Sequence, residues 1–372
     1  MNDLKKATIA IVILTISALF LFIVFGKLIP KPEPPHDNTE DDWIYPKSDD
    51  ANPIWGIKNG IVFGTESTEM DNKPAGVWAK GLLRIGWADE EGKSHFFNYI
   101  GLSLIRNGKQ VDASEIERIT FHPDSLTYAS GLDVLLSEYF EDSTEVQDYL
   151  SLEKNPAASL SQVTNIEDDE MSVLFRLSTF QFSKAKIYLI IVVDKSVPRE
   201  IKISVYNQEE ETNPLDFIIV SATYGNLARL RDLYLRYRIV NARELFEGYE
   251  LGAWCFYPRV SFDLDELMIN EENAVTVYAG NDEEGDWVAD LGNEAPYYDG
   301  PRFFQYWRKY AGSYGEDFQV SVNGREKYFG GFFNPCGHIN ISGGVSYENF
   351  EMVEEYYHGQ TFWFGFDYTV EY

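Results

Sequence analysis

The chain has 372 residues and a formal net charge of −29, and it is long enough to bury a large core in one domain or two. That acidity argues against a nucleic-acid partner, because such affinity rests on Lys and Arg neutralising phosphates. Aromatic residues make up 15% of the chain, which suits β-sheet, where flat rings pack on a pleated surface.

Residues 1–6 read as a cytoplasmic stub. Ala7 to Phe25 carries no charge, and a helix of about 20 residues crosses a hydrocarbon core of about 30 Å. Residues 7–28 are therefore expected to anchor the chain in the lipid bilayer of the cell membrane as a single pass. Lys5 and Lys6 put the N-terminus in the cytoplasm and the remainder outside. The run ends Val-Phe-Gly-Lys-Leu-Ile-Pro, without a small-x-small cleavage site, so an uncleaved anchor is expected rather than a signal peptide. Residues 29–53 form a linker. Pro30, Pro32, Pro34 and Pro35 stiffen it, and Asp37, Glu40, Asp41 and Asp42 keep it solvated.

The exterior domain, 54–372, reads as mainly β: a large antiparallel sandwich with few helices. Asn59-Gly60, Asn107-Gly108 and Asn323-Gly324 sit between strand-like runs, and each signals a hairpin. Strands are expected over 77–87, 95–102, 171–180, 186–193, 199–206, 215–223, 274–279, 302–310, 344–353 and 361–370. Several alternate polar and apolar residues, as half-buried strands do. The segment Ile187-Tyr-Leu-Ile-Ile-Val-Val is apolar throughout and is expected to be covered on both faces. Residues 112–119 could form a turn or two of helix. Glu247-Gly248-Tyr249-Glu250 reads as a connector where the domain could be subdivided, although one continuous sandwich is the first expectation.

One stretch breaks the β pattern. From Asn226 to Tyr237, Leu227, Leu230, Leu233 or Tyr234, and Tyr237 recur at three- and four-residue steps, which predicts a short helix over 226–237. Arg229, Arg231, Arg236, Arg238 and Arg243 cluster there. An arginine fork can grip a carboxylate with two hydrogen bonds. Arg229 and Arg231 are therefore either candidate ligand contacts or members of internal ion pairs, with internal pairing favoured.

The sharp catalytic motifs are absent: no nucleophile elbow, zinc helix or phosphate-binding loop. Asp282-Glu-Glu-Gly-Asp286 lacks the alternation of a calcium loop and reads as an acidic turn. No metal and no cofactor are expected. His338 and Glu348 are the candidate catalytic pair, since a histidine and a carboxylate facing one pocket can share acid–base work; His95 and His122 are weaker candidates. Trp254, Trp287, Trp307 and Trp363 could stack on sugar rings or pack in the core. Cys255 and Cys336 are either a disulfide, permitted outside the cell, or two buried thiols.

The motifs Gly81-Leu-Leu-Arg-Ile85, Phe97-Asn-Tyr-Ile100, Ala222-Thr-Tyr-Gly-Asn-Leu-Ala-Arg-Leu-Arg231 and Gly343-Gly-Val-Ser-Tyr-Glu-Asn-Phe-Glu351 resemble a family of uncharacterised prokaryotic secreted or membrane-anchored β-proteins, from about Trp55 to Gly365. The layout also resembles the two-sheet supersandwich of galactose-mutarotase-like proteins and certain polysaccharide lyases. Neither resemblance brings catalytic residues with it. Arg84 and Asn98, in the first two motifs, join Arg229, Arg231, Trp254 and Trp307 as candidate ligand contacts. The leading expectation is an exterior domain that binds or processes an acidic carbohydrate at the cell surface. If it is an enzyme, an epimerase, lyase or hydrolase is expected. The alternative is a non-catalytic structural or interaction module of the cell envelope.

Overall fold

The computed structural model describes residues 42–46, 53–65, 83–114, 161–177, 179–180, 183–223, 225–252, 255–283, 302–328 and 336–370. The expected anchor at 7–28, most of the linker, His122, Trp254 and Trp287 lie outside them. Among the described residues no helix is long and apolar enough to cross a membrane.

Trp43–Tyr372 forms one compact unit. Its strands, in chain order, begin with β1 (Trp43–Ile44), β2 (Ile54–Ile57), β3 (Gly60–Gly64), β4 (Leu83–Ala88), β5 (Ser94–Arg106), β6 (Lys109–Ala113) and β7 (Ser161–Glu167). There follow β8 (Glu170–Arg176), β9 (Ile187–Asp194), β10 (Glu200–Asn207), β11 (Phe217–Thr223), β12 (Asp232–Tyr234) and β13 (Ile239–Asn241). The helix α1 (Ala242–Leu245) comes next, capped by the Asn241 side chain. The last strands are β14 (Val260–Asp263), β15 (Met268–Ile269), β16 (Val275–Gly280), β17 (Phe304–Lys309), β18 (Gln319–Arg325), β19 (Ser346–Glu355) and β20 (Gln360–Asp367).

These strands build two stacked antiparallel sheets. The first runs β1-β2-β3-β4-β5-β11-β19-β18-β14, with β6 also on β5; the second runs β13-β12-β16-β17-β20-β10-β9-β8-β7, with β15 on β16. Strands from both sides of residue 248 share each sheet. The core lies between the sheets because each central strand turns alternate apolar residues inward: Ile218, Val220 and Ala222 on β11, Phe362, Phe364 and Phe366 on β20.

Two hairpin signals act as turns. Asn59 takes φ 51° between β2 and β3, and Asn107 and Gly108 take φ 50° and 67° between β5 and β6. The third does not. Asn323 and Gly324 lie inside β18, where the register with β19 shifts by a bulge. Gly324 is there for space: a Cβ would sit 2.7 Å from the Phe246 ring and 3.0 Å from the Ser346 carbonyl oxygen.

Two further expectations need correction. Residues 187–193 are covered on one face only, with Ile187, Leu189, Ile191 and Val193 buried and the residues between them half-buried. The stretch 226–237 is not a helix. Arg229 takes φ 51°, which stops helical propagation, and the Arg231 amide then bonds the Gly280 carbonyl at 2.7 Å. That bond leads the chain into β12, between β13 and β16. Leu233 and Leu235 are buried at strand spacing, whereas Tyr237 is 79% exposed.

Candidate functional site

The arginine stretch and the acidic turn meet. Arg231, fully buried, pairs with Glu283 and lies 3.4 Å from Asp282. It also donates from Nε to the Val345 carbonyl (3.0 Å) and from Nη2 to the carbonyls of Ser342 and Gly344. Arg229 lies 3.3 Å from the other Glu283 oxygen. Arg243 pairs with Asp282 and donates to the Gly343 carbonyl at 3.1 Å. Gly343, at φ 80°, is required here, since a Cβ would meet the Arg231 guanidinium at 2.9 Å. Arg238 pairs outward with Glu266 at 2.8 Å, and Arg236 stacks on Tyr237.

Tyr328 stands among these charges. Burial pushes its phenol up to about 12; Arg229 and Arg231 oppose the shift, and Glu283 and Glu348 add to it. Glu348 is itself buried, 4.0 Å from Arg325. Thus three residues predicted from sequence, Arg229, Arg231 and Glu348, do converge, around a tyrosine that sequence reasoning missed. Burial pushes Arg229 down from the usual arginine range, with Glu283 opposing.

The other candidates disperse. His338 is exposed on the turn after Cys336. Asn98 and Trp307 lie in the buried layer between the sheets, where Asn98 donates to Gln305 and Trp307 Nε1 donates to the Phe350 carbonyl at 2.8 Å. Arg84 is half-buried over the Phe96 ring at 4.3 Å. His95 lies 3.6 Å from Asp89. Cys255 and Cys336 are joined in a disulfide, with Cα atoms 5.1 Å apart. Among the described residues no group of three or more His, Cys, Asp or Glu could hold a metal ion.

The quoted motifs align across the first sheet. Arg84 faces Tyr99, Tyr99 faces Thr223, Thr223 faces Asn349, and Asn349 faces Asn323. The next row on that face holds Ser221, Glu351 and Ser321. Glu351 is saturated there: Arg259 lies 2.6 Å from both of its oxygens, and Ser221 and Ser321 donate to it at 3.1 and 2.9 Å. These polar residues sit opposite the core parity of their strands, yet all but the half-buried Arg84 are buried.

On the outer face of the second sheet, Glu200 accepts from the Tyr306 hydroxyl (3.0 Å) and from Arg308 (2.9 Å). Tyr306 reaches it by lying across Gly365, where a Cβ would be 2.5 Å from the ring. Burial raises the Glu200 carboxyl above its ordinary value, against the pull of Arg308. Comparison with known protein families and with curated proteins finds no match to this chain.

Proposed function

We propose that the chain is a non-catalytic interaction module of the cell envelope, held outside the membrane by the apolar segment at 7–28. The observation that carries this reading is the saturation of Arg231. Its guanidinium is taken by two carboxylates and three carbonyls of the protein itself, so it holds strand connections together and offers no fork to a ligand carboxylate. Processing of a sugar would need a histidine, a carboxylate and an arginine open to one cleft. Here Glu348 is buried beside Arg325 while His338 is exposed on a turn. The Cys255–Cys336 disulfide suits an oxidising exterior.

The test incubates the purified full-length chain with acidic and neutral polysaccharides and follows reducing ends and the ultraviolet absorbance of unsaturated uronates. No product is expected. Product that disappears in Glu348→Gln would overturn the reading.

A further inference from the structure

The outer face of the second sheet carries an arrangement that the arginine cluster does not. Lys202 on β10 lies directly opposite Trp363 on β20, and Trp363 lies directly opposite Arg308 on β17. One indole is thus flanked by two cations across three adjacent strands, at neighbour distances of about 5 Å between Cβ atoms. Tyr310 packs on Trp363 in a T-shaped pair, with ring centroids 4.7 Å apart. One row away, Ser204 and Thr361 face each other with hydroxyls 3.3 Å apart. Lys202 is exposed; Trp363, Arg308 and Thr361 are partly so.

Charge distinguishes this patch from the rest of the molecule. In a chain of net charge −29, Lys202 has no carboxylate partner among the described residues, and Glu200, two residues away on the same face of β10, is already held by Arg308 and Tyr306. Of the other acids of the face, Asp367, four residues along β20 from Trp363, is paired with Arg199 at 3.5 Å, Asp232 lies on β12, and Glu167, Glu170 and Asp194 lie toward the far strands β7, β8 and β9. The open charge beside Trp363 is therefore positive.

We infer that this face binds an acidic glycan: a pyranose ring packs on Trp363 and its carboxylate is held by Lys202, with the partly exposed Thr361 at hand for a ring hydroxyl. An indole matches the apolar face of a sugar ring, an exposed ammonium supplies a counter-charge, and a threonine hydroxyl can accept from a ring hydroxyl. A lipid surface fits less well, because Trp363 is seated within the sheet and cannot insert into acyl chains. This inference rests on the interaction-module reading and names the class of its partner.

The test is calorimetric titration of the full-length chain in detergent with oligogalacturonate, with carboxyl-reduced oligogalacturonate and with polyglutamate. Wild type should bind oligogalacturonate at least about tenfold more tightly than the other two. Lys202→Ala and Trp363→Ala should each weaken that binding about tenfold or more, a loss of roughly 1.4 kcal/mol. Lys202→Ala should leave binding of the reduced oligomer unchanged. Near-ultraviolet circular dichroism checks that each variant is folded. Absence of oligogalacturonate binding, or binding indifferent to both substitutions, overturns the inference. Equal affinity for polyglutamate would mark the patch as a site for acidic protein and overturns it too. Sugar binding accompanied by product would overturn only the non-catalytic reading; no binding and no product would overturn only the glycan site.

Discussion

Lys309 and Glu354 face each other across the space between the sheets, with Nζ 2.6 Å from Oε2 and both side chains buried. Gln360 and the Gly315 amide complete the carboxylate's hydrogen bonds. Removing one partner of such a pair leaves an uncompensated buried charge and costs about 3–5 kcal/mol, whereas removing both with matched volume costs far less. Lys309→Met alone should therefore lower unfolding free energy by about 3–5 kcal/mol, and Lys309→Met with Glu354→Leu should recover most of the loss. A double-mutant cycle in denaturant measures the coupling; additive losses would contradict it. The pair was legible in principle. Lys309 shares strand parity with Gln305 and Trp307, and Glu354 shares it with Phe350 and Met352, so each is a charge on an apolar face. The partners of Arg231 were harder to read, because Asp282 lies 51 residues away in sequence and spacing carries no sign of that approach. The ligand patch was hidden for the same reason: Lys202 and Trp363 are neighbours only through sheet register.

At the scale of elements, alternation in β8, β10 and β20 made those strands readable, because each buries one face in a sheet of fixed pleat, whereas β9 was read from an unbroken apolar run that concealed which face is buried. What failed were segments whose local signal was overridden by distant partners. Residues 226–237 carry leucines that suit both three-residue and two-residue spacing, and the Gly280 carbonyl decides for the strand. Asn323-Gly324 is a strong hairpin signal in isolation, but β19 runs alongside it and extends the strand through a bulge. The glycine remains necessary for a different reason. Gly324→Ala would drive a methyl into Phe246, whose ring stacks on Tyr257 at 5.0 Å. Overpacking of this kind costs about 1–3 kcal/mol. Thermal unfolding of Gly324→Ala should show that loss, and pairing it with Phe246→Leu should restore part of it; an unchanged midpoint would mean that the bulge yields freely.

For the whole molecule, the disulfide closes a loop of 81 residues. In the chain-entropy model this stabilises the fold by about 4–5 kcal/mol. The Cys255→Ser/Cys336→Ser double variant should unfold at lower denaturant concentration by an amount of that order, and reduction of the wild type should reproduce the shift. If both leave the midpoint unmoved, the bridge adds nothing beyond the sheets. The layered architecture itself was legible from strand count and from the shortage of helical periodicity. The strand order was not, since β11 pairs with β19 and β10 with β20 across more than a hundred residues. That order sets a timetable for maturation. β19 and β20 occupy interior places in both sheets, with β11 and β18 waiting on either side of one and β10 and β17 on either side of the other. Until residues 346–367 have been synthesised and delivered, each sheet exists as two halves with open hydrogen-bonding edges. A ribosome paused before them leaves a chain exposed to mispairing and proteolysis, and late-coming strands close both halves together.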